Sequence, residues 1–323
     1  MIHDVKEYFG LKKDFNNAGY FETENFKQVL LDLKSAIKSG HLIALTGIVG
    51  CGKTATSRRI REELKKENEI IVSTNIAVDK EKVSLGTLIF ALFSDINTEK
   101  NFKIPKKLEI RERYLTDLVR RRKKPVALFI DEAHDLHHKT LTGLKRLIEV
   151  IQEGGSTLSI ILIGHPRLKV NLENPNLEEI GARTTLLSLK GITSSKKEYV
   201  EWILKKCLKE KTNISDVFSE DALEFLIKEL NTPLQINNYL WKSLVEAYQI
   251  GEKPVTQITV KAVVAVDLNC TEARLHRYGY NSKTLTSSLD ATDKEIRAFF
   301  NGKLSPSRSQ ELLQEMLKLG IAG

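Results

Sequence analysis

The chain has 323 residues and carries a formal net charge of +8, with a pI near 9.1. That length is more than one domain's usual share and predicts two or three. The basic balance admits a solvated lysine-rich surface or a polyanionic partner, nucleic acid or acidic lipid. Cys51, Cys207 and Cys270 stand far apart with no CxxC pair, which argues against a disulfide framework or a zinc site and suits a reducing compartment. The first eleven residues are charged and lack an apolar core, so they do not read as a signal peptide. No apolar run is long enough to span a bilayer. A cytoplasmic chain without membrane contact is expected.

In chain order, residues 1–40 form a lead-in. Phe9-Gly10-Leu11 and Gly19-Tyr20-Phe21 read as local packing punctuation. Phe26, Val29, Leu30, Leu33 and Ile37 fall at helical spacing and predict a helix over 24–39. The apolar run Leu42-Ile43-Ala44-Leu45-Thr46 reads as a buried strand. It feeds Gly47-Ile48-Val49-Gly50-Cys51-Gly52-Lys53-Thr54, which fits G-x-x-x-x-G-K-[ST], and an amphipathic helix follows over 55–66. Strand, glycine loop and helix together predict a phosphate cradle. The loop's backbone N–H groups, Gly47, Gly50, Cys51, Gly52 and Ala55 among them, face an anion at a helix N-terminus. Lys53 reaches the β- and γ-phosphates and the Thr54 hydroxyl holds Mg²⁺. Cys51 is a small residue that fits the loop, in a place where a helix N-terminus lowers a thiol pKa.

A short strand over 70–72 comes next, then a lysine-bearing stretch with Lys80, Lys82, Lys103, Lys106 and Lys107, and helices over 85–93 and 108–124. The basic end of the second helix, Arg120 to Lys124, suits a helix C-terminus. Val126-Ala127-Leu128-Phe129-Ile130 is a continuous apolar strand running into Asp131-Glu132. Such a strand is buried on both faces, as in a parallel sheet. A carboxylate at its end can hold Mg²⁺ through water, and its neighbour can polarise an attacking water. A helix over 141–152 and strands over 158–163 and 184–189 complete an α/β doubly wound sheet. Ligands sit beyond the carboxyl ends of such strands, the edge where Thr46, Asp131 and His165 are expected. His165 either orients the water and senses the γ-phosphate or is satisfied by a loop carbonyl. His134, His137 and His138 lack an accompanying cysteine and read as a solvated helix start rather than a metal site.

From about residue 194 the strands stop. A capping box at Ser195 and Glu198 opens a helix to 208, Ser219 caps one over 221–230, and helices over 233–248 and 259–266 complete an all-helical unit. The last stretch predicts a separate helical unit. It contains a helix over 282–289, a capping box at Thr292 and Glu295, and Ser305-Pro306 opening a third helix. Its two short helices and tight turn are compatible with a DNA-reading helix-turn-helix or with a small docking bundle. The expected division is 1–40, 41–192, 193–268 and 269–323.

At these residues the chain resembles the AAA+ ATPases over Phe9 to about Val266. The branch it is similar to holds secretion ATPases of the ExeA/GspA type and transposition ATPases such as TnsC, TniB and IstB. The cues are Tyr8-Phe9-Gly10-Leu11, Thr46-Gly47, Phe129-Ile130-Asp131-Glu132-Ala133-His134, Ile163-Gly164-His165-Pro166-Arg167-Leu168, and Thr232-Pro233 before Ile236-Asn237-Asn238. The resemblance implies an AAA+ P-loop sheet domain, an all-helical lid and a small C-terminal helical unit. It implies ATP and Mg²⁺ as cofactors, Glu132 as catalytic base and His165 at the sensor-1 position. It places Arg183 as an arginine finger acting on ATP bound by a neighbouring copy, in a ring or helical filament. Where many relatives carry Gly-x-Pro-Arg, this chain has Asn231-Thr232-Pro233-Leu234, with Gln235 as the candidate substitute. The missing arginine removes one γ-phosphate contact, so either hydrolysis is slow or Gln235 substitutes. The transposition reading implies assembly on duplex DNA through backbone contacts, with Lys80, Lys82, Lys103 and Lys106 as candidates, and recruitment of a transposase or targeting protein. The alternatives are a secretion-assembly ATPase and a nucleotide-dependent scaffold with negligible hydrolysis. The expected absence of a membrane span favours the first reading.

Overall fold

The structure, a computed structural model, describes residues 1–74, 84–97, 105, 107–264 and 270–321. Five parallel strands form its centre: β1 (Leu42–Thr46), β2 (Ile71–Thr74), β3 (Val126–Ile130), β4 (Leu158–Gly164) and β5 (Thr184–Ser188). Their order is β2-β3-β4-β1-β5. Every residue of β1, β3 and β4 is buried, which explains their unbroken apolar runs. In register, Thr46 lies beside both Gly164 and Ser188, so the phosphate loop leaves the sheet at its carboxyl edge.

Helices cover both faces. On one lie α4 (Leu85–Ile96), α5 (Leu108–Arg122) and α6 (His138–Glu153), with α7 (Arg167–Leu172) and α8 (Glu178–Gly181) at its margin. On the other lie α2 (Glu24–Lys38) and α3 (Lys53–Glu67), which bury Phe26, Leu33, Ile37, Ile60 and Leu64 against Ile43, Leu45 and Phe129. The Thr23 hydroxyl caps α2 by accepting from Phe26 N–H. Asn25 ties the start of α2 to the end of β5, accepting from Lys190 N–H at 2.9 Å.

The first forty residues divide between two cores. While α2 joins the sheet, α1 (Ile2–Phe9) buries Val5 and Phe9 in the helical unit of α9 (Lys196–Cys207), α10 (Glu220–Glu229), α11 (Pro233–Gln249) and α12 (Gln257–Val263). A backbone bridge between Leu11 and Leu208 seals that union. Two expected caps take other forms. Ser195 precedes α9 without bonding its N–H groups, and its buried hydroxyl has no partner. The Ser219 hydroxyl donates to Val255 O at 3.1 Å instead of capping α10. At Ser219 a tertiary contact takes the place of the cap that local spacing suggested.

A fourth core gathers α13 (Thr271–Arg277), α14 (Ser282–Ser288), α15 (Asp293–Phe300) and α16 (Pro306–Lys318) around Leu275, Leu285, Ile296, Leu312 and Met316. Here the local signals hold: Thr292 and Glu295 form the reciprocal capping box, and Ser305 caps α16 before Pro306.

The α7–α8 turn is tightly closed, because a Cβ on Gly181 would come 2.2 Å from the backbone oxygen of Leu172. Backbone cannot step aside as a side chain does. Gly181→Ala is expected to cost about 1–3 kcal/mol, read as a lower urea midpoint. An unchanged midpoint would mean that this approach is not needed for stability.

Candidate functional site: a phosphate loop at the carboxyl edge

Three adjacent strand ends supply the site. β1 delivers the loop Gly47–Thr54, β3 delivers Asp131 and Glu132, and β4 delivers His165. Gly50 turns with φ +81, and a Cβ there would lie 2.9 Å from Thr232 Oγ1 and 3.0 Å from Leu234 Cβ, so the loop and the start of α11 meet at a point only glycine allows. Lys53 opens α3 and is only 8% exposed. Its Nζ donates to Ile48 O at 3.1 Å and to His165 Nδ1 at 3.3 Å. Thr54 and Asp131 are exposed at the same edge, and their hard oxygen donors suit Mg²⁺.

Glu132 takes the left-handed conformation, φ 53 and ψ 37. For a non-glycine residue this is an uncommon state that surrounding structure must hold. Its N–H donates to Asp131 Oδ1 at 3.0 Å. The turn sends the Glu132 carboxylate toward two imidazoles, with Oε2 3.5 Å from His134 Nδ1 and 3.9 Å from His165 Nε2. The two rings lie 4.1 Å apart. Burial pushes the His165 pKa down to about 3, with the neighbouring His134 and Lys53 acting in the same direction. His134 is also lowered, chiefly by burial, against the opposing pull of Asp135 and Glu132. Both rings are therefore neutral at pH 7.

Those facts decide the tautomer. An ammonium only donates, so His165 Nδ1 accepts from Lys53 and Nε2 carries the proton that faces Glu132. Glu132, His134 and His165 hold ligand atoms within 4.8 Å of one another, and a metal bound there would have to displace the Nε2 proton. Of the histidines in the sequence cluster, only His134 enters this group. His137 caps α6 by accepting from Lys139 N–H at 3.2 Å, and His138 begins that helix.

A cavity of about 210 Å³ runs from the loop between sheet and helical unit, lined by Phe15, Tyr20, Thr56, Tyr199, Trp202 and Asn237 among others. Tyr20 OH and Thr56 Oγ1 are 2.9 Å apart, and Tyr199 OH donates to Asn237 Oδ1 at 2.9 Å. Phe21 meets the Tyr199 and Trp202 rings at 5.5 and 5.3 Å. Flat aromatic walls with a few polar groups suit a planar heterocycle. Sequence reasoning treated Tyr20 and Phe21 as packing and passed over Tyr199 and Trp202. The usable signal was the aromatic density of residues 15–21 just before a phosphate-loop domain.

Several predicted residues sit elsewhere. Arg183 precedes β5 at the opposite edge of the sheet, 62% exposed, with Nη1 2.8 Å from Glu149 Oε1; within one copy it is remote from the loop. The Gln235 side chain turns back on its own helix, Oε1 accepting from Asn231 N–H at 3.0 Å. It is Leu234, 59% exposed, that faces Gly50, its N–H 3.4 Å from Gly50 O. The Cys51 thiol is buried beneath Gly47, and burial pushes its pKa up despite nearby Lys53. Desolvation thus overrides the helix-terminus effect expected from sequence. Lys80, Lys82, Lys103 and Lys106 lie outside the described residues.

Residues 37–172 match the family model described as an AAA domain. The fold is that of the AAA+ P-loop ATPases. Over 96% of this chain and 91% of the other, the AAA+ architecture is similar to the Aeropyrum pernix ORC2 protein, solved as ADPNP and ADP complexes, with a TM-score of 0.60 at 14% identity. Cdc6p from Pyrobaculum aerophilum gives 0.55 at 18% identity over 98% and 90% of the two chains. Drosophila ORC bound to DNA gives 0.52 at 14% over 97% and 82%. In sequence, 185 residues are 27% identical to general secretion pathway protein A of Aeromonas hydrophila. That alignment spans 55% of this chain and 33% of the relative, so the matched segment corresponds to about a third of that protein. Among the described residues, no helix is long and apolar enough to cross a membrane.

Proposed function

We propose that this chain is an ATP-hydrolysing AAA+ subunit that assembles on duplex DNA and regulates transposition by recruiting or activating a transposase. The observation that carries the ATPase reading is the convergence of Lys53, Glu132 and His165 on three neighbouring strand ends, beside a heterocycle-sized cavity. The adenine would fill that cavity. The loop's N–H groups and Lys53 would grip the phosphates. Mg²⁺ held by Thr54 and, through water, by Asp131 would neutralise developing phosphate charge. Glu132 would accept the proton of the attacking water, with neutral His165 aligning it. Arg183 of a second copy would complete the site, because its own copy holds it at the far edge. Leu234 in place of a charged contact makes turnover slow, which suits an assembly meant to persist.

The DNA partner is supported by the net charge of +8 and by the likeness to a protein solved on DNA. A further support is a basic edge where α3 ends in Lys65 and Lys66 and α5 in Arg120, Arg121 and Arg122. Lys124 Nζ joins those helix ends by donating to Asn68 O at 2.6 Å. Binding to arbitrary duplex DNA with ATP or a slowly hydrolysed analogue is expected to weaken by about three orders of magnitude between about 50 and about 200 mM salt. The measurement is fluorescence anisotropy across a salt series, and absence of binding at low salt would remove the DNA partner.

The relative named general secretion pathway protein A favours a second reading, a secretion-assembly ATPase. ATP hydrolysis indifferent to DNA, with co-fractionation of the protein with the cell envelope, would move the balance to it.

A further inference from the structure

One peptide plane of the phosphate loop is held from both sides. Its carbonyl, Ile48 O, accepts from Lys53 Nζ at 3.1 Å, and its amide, Val49 N–H, donates to Arg277 O at 2.7 Å. Two residues beyond Arg277, Gly279 lies on the other group that engages Lys53. A Cβ on Gly279 would come 2.8 Å from His165 Cβ and 3.1 Å from its Cγ, and φ there is +94. Between them, Tyr278 O accepts from Arg167 N–H at 3.4 Å. Residues 277–279 thus touch both partners of the Lys53 ammonium and close a circuit from Lys53 through Ile48, Val49, Arg277, Gly279 and His165 back to Lys53. Leu275 and Tyr280, on either side, belong to the core shared by α14, α15 and α16. The contact therefore moves with the whole C-terminal unit.

We propose that the C-terminal unit is a latch which holds Lys53 on Ile48 and His165, away from incoming phosphates, so that nucleoside triphosphate and latch displace one another. The inference rests on the nucleotide-binding reading above. A phosphate group draws an ammonium more strongly than a neutral carbonyl does, because the bond is charge-assisted. Once Lys53 leaves Ile48 O, that peptide plane can turn and its N–H leaves Arg277. Thermodynamic linkage then requires the reverse effect: loosening the latch tightens nucleotide binding by the same factor. A triphosphate-bound copy would present a released C-terminal unit, and an empty copy a docked one.

The test is hydrogen exchange by mass spectrometry on the full chain, without ligand, with Mg-ADP, and with a slowly hydrolysed Mg-ATP analogue. The analogue is expected to slow exchange in residues 47–55 and to speed it at Arg167, whose N–H donates to Tyr278 O in the docked unit, by about three- to tenfold, the worth of one main-chain hydrogen bond. Gly279→Ala, which forces the turn off His165, is expected to tighten analogue binding by about the same factor. Slowed exchange in the loop with no acceleration at Arg167 overturns the latch and leaves the nucleotide site standing. No change anywhere, with no binding by calorimetry, overturns both. A Gly279→Ala protein that binds no more tightly also counts against the latch; should that variant misfold, the wild-type comparison alone decides.

Discussion

Glu132→Gln is expected to bind ATP about as well as the parent and to hydrolyse it about 10²- to 10⁴-fold more slowly, the usual contribution of a positioned general base. The amide is nearly isosteric with the carboxylate, so the strained turn at φ 53 and the contacts with His134 and His165 have no steric reason to break. What goes is the ability to take a proton. Two readouts separate this from damage to the fold: equilibrium binding of a fluorescent ATP analogue, which should change by less than about threefold, and sedimentation, which should show the assembled form accumulating with ATP. Normal hydrolysis by Glu132→Gln would exclude Glu132 as the base.

Arg183→Ala is the second large effect. The side chain is mostly exposed and paired with Glu149 and Glu179, so its removal should cost under about 1 kcal/mol of stability. In an assembly where it reaches a neighbour's γ-phosphate, its loss should reduce turnover by about 10³-fold with ATP binding intact. Mixing supplies the decisive arm. A Lys53→Ala copy has a disabled loop and an intact Arg183, and an Arg183→Ala copy has the converse. Together they should recover a measurable part of the turnover that each lacks alone. Failure to recover would count against action between copies.

The sheet and its loop were legible because their signals are local. A continuous apolar run such as residues 126–130 has to be a doubly buried strand, and the acids that follow then fall at the carboxyl edge. The capping box at Thr292 and the Ser305-Pro306 start of α16 were equally local, and both formed. The aromatic-walled cavity was not legible. Its walls, Tyr20 and Tyr199, are far apart in sequence, and each reads as ordinary packing until the helical unit folds over the sheet. The same holds for Gly279 on His165 and for Val49 bonded to Arg277. A final unit that looked separate in sequence is in contact with the loop. Ser195 shows the converse failure, a local capping pattern that forms no cap.

The strand order has a consequence for how this site can change. The loop, Glu132 and His165 hang from neighbouring strands, and a hydrogen-bonded ladder spaces strands at about 4.8 Å. The sheet therefore works as a ruler. Distances among the chemical groups are set by backbone pairing that side-chain substitution cannot stretch. Adjustment of rate or affinity is left to parts that touch the ruler's edge from outside: the aromatic stretch before α2, Leu234 at the head of α11, and the turn at Gly279. Variation that tunes this protein should collect there, while the strand ends stay fixed.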